Sequence, residues 1–248
     1  MIPKRVPGLR FNNFSQDWEM KQNKDLLKRI VDPVTVVSDH MYEQIGIRSH
    51  GKGVFHKDRV SGKELGNKRV FWLKENLFIV NIVFAWEQAI AITSSAEKGL
   101  IASHRFPMYK SIEGQSYEPY LLHFFLTRKG KRLLELASPG GAGRNKTLGQ
   151  KEFEKLRYRV PNIEEQTRIA NFLTAVDKHI TLLQKKKEAL EQYKKGVMQK
   201  LFSKELRFTD DQGNDFPNWE EKKLGEIATI CKGKGISKAD VELDGKTE

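Results

Sequence analysis

The sequence predicts an α+β protein, a globular domain with small sheets and helices followed by a long coiled-coil-type helix. Three observations predict it. Short β-rich runs bounded by turn signals occupy the first half of the chain, and a stretch near residue 120 places apolar residues at helical spacing. Beyond residue 162, apolar residues recur every seven positions for five heptads.

The β-rich runs are Arg69–Leu73, Leu77–Phe84 and Ala89–Thr93, with turn signals at Ser49-His50-Gly51-Lys52-Gly53 and Ser61-Gly62-Lys63. Tyr117–Ala137 reads as helix, because Leu121, Leu122, Phe125, Leu133 and Leu136 fall near a 3.6-residue period. Residues 163–202 contain no proline and one glycine, Gly196. Ile169, Val176, Leu183, Leu190 and Val197 form one row of a heptad seam, and Leu173, Ile180, Lys187, Lys194 and Leu201 the other. Asn162 is the expected N-cap, with Glu164 and Glu165 in the first turn favouring the helix dipole. A helix of this length, about 60 Å, needs a partner for its apolar seam. Lys187 and Lys194 on that seam favour a short antiparallel pairing, or contact with another subunit, over a long uniform coiled coil.

An internal echo sets the expected organisation. Leu9-Arg10-Phe11, Phe14 and Trp18-Glu19-Met20-Lys21 return as Leu206-Arg207-Phe208, Phe216 and Trp219-Glu220-Glu221-Lys222. The repeat implies a globular domain over 1–160, a spacer and dimerisation helix over 161–203, and the truncated beginning of a second unit over 204–248.

Composition narrows the class. Hydrophobic residues make up 38% and charged residues 31%, and no apolar run reaches the roughly 18 residues that cross a bilayer. Met1-Ile2-Pro3-Lys4-Arg5 lacks the apolar core of a signal peptide, and the single Cys231 fits a reducing compartment. A cytoplasmic protein with no membrane association is expected. The net charge is +12, and residues 1–160 hold 28 Lys/Arg against 16 Asp/Glu, the entire excess. Such a domain suits a polyanion, because cationic side chains release phosphate counterions; a solubilising basic surface is the competing reading.

Catalytic signatures are weak. Gly140-Gly141-Ala142-Gly143-Arg144-Asn145-Lys146-Thr147 approaches a phosphate-binding loop, but Asn145 stands where a second glycine is needed, and a helical stretch precedes it. The chain has no Asn/Asp-Pro-Pro-Tyr/Phe quartet of the kind that holds a flipped adenine, and its histidines are scattered. Catalytic and metal-ligating residues are therefore expected to be none. For DNA contact, Arg48, Ser49, His50 and Lys52 lie on a glycine-flanked turn, and Ser103, His104 and Arg105 form a second cluster. These side chains can fork to guanine O6/N7 or grip phosphate, while Lys57, Arg144 and Lys146 suit phosphate. For each, an ordinary solvated charge is the alternative.

Pro161-Asn162-Ile163-Glu164-Glu165-Gln166-Thr167-Arg168-Ile169-Ala170, followed by Phe172-Leu173 and Asp177-Lys178-His179-Ile180, resembles the helix opening of type I restriction-modification specificity (S) subunits. Ile45-Gly46-Ile47, Gly53-Val54-Phe55 and Asn81–Ala91 are similar to one kind of target recognition domain in that family. Asn145-Lys146-Thr147-Leu148 resembles the segment before the helix, and Phe216–Glu226 the lead-in to a second recognition domain.

The resemblance implies a non-catalytic subunit whose recognition domain reads half of a split double-stranded DNA site. Its helices would set the gap between half-sites and dock methyltransferase (M) subunits, with a restriction (R) subunit joining the complex. S-adenosylmethionine, ATP and Mg²⁺ are then expected on partner subunits only, and self-association is possible. Family members usually carry two recognition domains and two long helices, whereas this sequence has one of each. The alternatives are a stand-alone dimeric DNA-binding protein unrelated to restriction, a nuclease with a coiled-coil tail, and a structural adaptor.

Overall fold

The computed structural model describes residues 7–140, 146–233 and 235. The chain divides into two compact units, Met1–Gln184 and Lys185–Glu248, with the division inside the long helix.

Among the described residues, the first unit holds ten strands in three sheets. β1 (Glu19–Gln22) pairs antiparallel with β10 (Arg157–Val160). A second, antiparallel sheet has the order β2 (Leu27–Ile30), β9 (Met108–Ser111), β6 (Phe78–Val80), β7 (Ile90–Ile92). The third sheet has the order β4 (Val54–Ser61), β3 (Met41–Ile47), β8 (Ile101–Ser103), β5 (Val70–Trp72), with β3 and β8 parallel.

The period-2 alternation of strand side chains explains how these layers stack. From the second sheet, Phe78, Val80, Ile90 and Tyr109 enter one core, which is completed by helices. Ile79, Ala91 and Met108 point the other way and meet Ile45, Ile47, Leu73 and Ala102 of the third sheet's side. The far face of the third sheet packs Tyr42, Val70 and Ile101 on Leu65 of α1 (Gly62–Leu65). The central strand β6 is therefore apolar at every position, buried on both faces.

The helical layer differs from expectation at one point. Tyr117–Ala137 forms two helices, α2 (Glu118–Leu126) and α3 (Arg128–Leu136). Thr127 adopts an extended conformation between them and accepts the Gly130 N–H on its hydroxyl at 3.1 Å, capping α3. A Cβ at Gly130 would lie 2.2 Å from the Phe124 carbonyl oxygen, so the close crossing requires glycine. Leu121 and Phe125 are buried as the spacing predicts, but the break leaves Leu136 exposed. The run Leu77–Phe84 also ends early as a strand, because Asn81 Oδ1 accepts the Val83 N–H and turns the chain.

Beyond α4 (Gln150–Lys155), the long helix α5 runs from Ile163 to Phe202. Asn162 Oδ1 accepts the Glu165 N–H at 2.9 Å, as expected of the N-cap. Glu165 and Gln166 are both buried and tie the helix start to distant chain. Arg10 donates to the Glu165 carboxylate through two nitrogens. The Gln166 side chain accepts the Tyr117 N–H and donates to the carbonyls of Gln115 and Pro161. The apolar strap of Leu9, Phe11 and Trp18 lines a groove with Ile169, Phe172 and Leu173.

In the second unit, Leu201, Leu206, Phe208, Phe216 and Trp219 gather around Arg207. A short helix, α6 (Leu224–Ile227), follows in the same unit. Arg207 donates to the Pro217 carbonyl, two residues before Trp219, as Arg10 donates to the Gln16 carbonyl two residues before Trp18. The sequence echo is thus an echo in hydrogen bonding. Among the described residues, no helix is long and apolar enough to cross a membrane.

Candidate nucleic-acid interface

The β3–β4 turn is built for a tight reversal. Gly51 and Gly53 take positive φ, as does His50 at 60°, and the Arg48 N–H donates to the Gly53 carbonyl. The left-handed φ of 64° at Gly51 favours glycine, and a Cβ there would also push on a Leu126 methyl at 2.4 Å. The turn docks on the loop Asn81–Gln88: His50 N–H donates to the Glu87 carbonyl at 2.8 Å and Gly51 N–H to that of Gln88 at 3.0 Å. The Ser49 hydroxyl donates to Glu87 Oε2 at 2.9 Å. Arg48 is exposed, with its guanidinium 4.8 Å from the Phe55 ring centroid and Nη1 on the Val54 carbonyl.

The same loop gathers the other predicted clusters. Ile82 donates its N–H to the Arg105 carbonyl at 3.0 Å and accepts the Leu148 N–H at 2.8 Å. Lys146 lies over the Trp86 ring, 5.6 Å from its centroid. Ser49, His50, Arg105 and Lys146 therefore meet the loop Asn81–Gln88 from three separate segments, with Arg48 beside them on the β3–β4 turn. His104 and Arg105 are exposed, whereas Ser103 holds the turn by accepting the Arg105 N–H on its hydroxyl. Lys52 and Lys57 are exposed, and Arg144 lies outside the described residues.

Between these segments lies an open cavity of about 350 Å³, where Phe55, Phe84 and Phe106 meet Ser49, Lys57, Asn81 and Glu87. Neither its aromatic lining nor Asn81 and Glu87 were anticipated. In the sequence Leu77–Phe84 reads as a β-rich run and Asn81–Ala91 as a segment similar to a recognition domain, and no local pattern brings Phe84 and Glu87 to one cavity with Phe55 and Phe106.

Beside the cavity, β4 is pinned by His56. Its Nδ1 lies 3.0 Å from Glu43 Oε1 and its Nε2 3.0 Å from Glu97 Oε1. The hydrogen bond to Glu97, reinforced by both negative charges, raises the imidazole above its ordinary pKa despite partial burial. Among the described residues, no group of three or more His, Cys, Asp or Glu side chains is placed to hold a metal ion.

Residues placed on the helix seam divide by environment. Ile169 and Leu173 are half-buried against the N-terminal strap, and Val197 and Leu201 are half-buried in the second unit. Val176, Ile180, Leu183 and Leu190 are exposed.

Comparison with known proteins gives these features a context. Residues 15–192 match the sequence model of the type I restriction modification DNA specificity domain. The chain is 28% identical over 241 residues to the type I restriction enzyme MjaVIII specificity subunit of Methanocaldococcus jannaschii, covering 93% of this chain and 53% of that protein. Its fold is similar to the HsdS subunit from Thermoanaerobacter tengcongensis, with a TM-score of 0.54 at 16% identity over 81% of this chain and 51% of the other. A second structural relative comes from work on complex assembly and conformational transition of the type I R-M system. It has a TM-score of 0.56 at 17% identity, over 90% of this chain and 57% of that one. The chain spans about half the length of these relatives.

Proposed function

This chain belongs to the type I restriction modification DNA specificity family, and we propose that its first unit reads one half of a bipartite double-stranded DNA site while α5 docks methyltransferase subunits. The observation that carries the reading is the convergence on the loop Asn81–Gln88 of the turn bearing Arg48 and His50, of Arg105, and of Lys146. Three segments distant in sequence present cations on one scaffold, the arrangement that neutralises phosphates and aims forked donors at base edges. Arg48 is held against Phe55 before any ligand arrives, which lowers the entropy lost on binding.

On this reading the chain is non-catalytic. Methyl transfer with S-adenosylmethionine, and ATP- and Mg²⁺-dependent cleavage, belong to the M and R subunits, and the site of action is the cytoplasm. Affinity purification of the full chain from its native cell, followed by mapping of methylated adenines, tests the assignment. A co-purifying methyltransferase and a split methylation motif are expected. A chain that binds duplex DNA with no methyltransferase attached would instead be a stand-alone DNA-binding protein. Methyl transfer or metal-dependent cutting by the purified chain alone would overturn the non-catalytic assignment.

A further inference from the structure

We propose that the cavity of Phe55, Phe84 and Phe106 receives the 5-methyl group of a thymine, so that this unit requires an A·T pair at one position of its half-site. The inference rests on the DNA-reading function above and names the base pair that this cavity selects.

The chemistry of the lining leads to that ligand. Phe84 is 39% exposed in a lining shared with Lys57 and Glu87, so an apolar surface is held open beside charged groups on the unit proposed to read DNA. The tip of the Phe55 ring packs against Gly46 of β3, where a Cβ would come within 2.2 Å of it, and the ring carries Arg48 beside it. The apolar floor is thus fixed by backbone.

Two polar groups flank it. Asn81 is nearly buried, and its Oδ1 is used by the Val83 N–H, so its amide hydrogens are what it offers a ligand. Glu87 Oε2 accepts the Ser49 hydroxyl, which leaves Oε1 as an acceptor. A donor, an acceptor and an apolar recess match the thymine O4, the adenine N6 amino group and the thymine methyl of one A·T pair in the major groove. A G·C pair has no methyl and would leave the recess unfilled. A phosphate is disfavoured by the Glu87 carboxylate, which repels it, and falls instead to Lys57 at the cavity and to Lys146 over Trp86.

The test uses duplexes selected from a random pool by the full chain. In the selected half-site each thymine is replaced in turn by uracil, which removes only the methyl. Affinity is expected to fall about fourfold at one position, the worth of one buried methyl group. That sensitivity should vanish in Phe84→Ala, with Phe106→Ala as the second variant. If uracil is tolerated everywhere, or if the sensitivity persists in both variants, the methyl recess is wrong while DNA reading stands. If the chain selects no duplex at all, the DNA-reading assignment fails and takes this inference with it.

Discussion

Arg10 and Glu165, 155 residues apart, form a two-point ion pair, Nε to Oε1 at 2.7 Å and Nη2 to Oε2 at 2.6 Å. Trp18 Nε1 adds a longer donation to Glu165 Oε1 at 3.4 Å. The Glu165 side chain is 1% exposed, so the pair closes the first unit by fixing the N-terminal strap to the start of α5. Arg10→Ala would leave that carboxylate buried without its cation, a far larger cost than losing a surface pair. Thermal melts should show a fall in Tm on the order of 5 °C or more. Arg207→Ala, at the equivalent point of the echo, removes a guanidinium that donates, among the described residues, to the exposed oxygens of Phe216, Pro217 and Asn218. Its Tm should match the parent, and equal losses in the two variants would refute the distinction.

His56 gives the first unit a pH-dependent staple. Both ring nitrogens face carboxylates, so both bonds require the imidazolium form; Arg59 also reaches Glu43, at 3.3 Å. The folded-state pKa is raised, so the stabilisation is fully present below the unfolded histidine value near 6.5 and is lost as pH rises through the folded value. The side chain is 40% exposed, and solvent screening keeps the effect modest. Wild type should melt progressively closer to His56→Gln as pH is raised from about 6 to 9. A Tm difference that stays constant over that range would count against the staple.

Local pattern and distant contact explain what could be read from the sequence. The β-rich runs became β5, β6 and β7 because alternation between two cores is a local property of each strand. Asn162 was legible as an N-cap for the same reason. Glu165 was not. Local reasoning made it a dipole partner in the first turn, whereas its counter-ion sits beyond a whole domain of intervening chain. The Leu-Arg-Phe echo was visible, but the role of its arginine needed the fold. The break at Thr127 was hidden because it depends on Gly130 meeting the Phe124 carbonyl. At the candidate interface glycine and charge mark the turns at Ser49–Gly53 and Ser103–Arg105, but their meeting on the loop Asn81–Gln88 depends on contacts distant in sequence.

The two kinds of cation should separate in DNA titrations. Arg48 and Arg105 are exposed forks on turns, while Lys146 is a point charge over Trp86. Arg48→Ala or Arg105→Ala should cost about 1–3 kcal/mol of discrimination between the selected half-site and a scrambled duplex. Lys146→Ala should weaken both duplexes alike and lower the salt slope by about 1. Uniform losses for all three would sink the division into base and phosphate contacts.

The exposed part of the helix seam predicts self-association. Val176, Ile180, Leu183 and Leu190 are 40%, 48%, 53% and 56% exposed, more apolar surface than one helix face usually shows to water. A second copy is the nearest source of a matching face, and antiparallel pairing would relate the two DNA-reading units by a two-fold axis, so palindromic half-sites should follow. Full burial of an aliphatic side chain contributes roughly 1.5–3 kcal/mol, and these residues have about half of that left to gain. The total, roughly 3–6 kcal/mol, at best about offsets the cost of association, with Lys187 and Lys194 on the same seam. Lys187 already has Glu191 at 3.8 Å, which eases its placement beside an apolar contact. A weak dimer is expected, strengthened by a methyltransferase subunit. Sedimentation across a concentration series, with and without that subunit, should show it, and replacing both Leu183 and Leu190 with Asp should abolish it. A strict monomer in both conditions, or a double-Asp variant that still dimerises, would assign the exposed row to another partner.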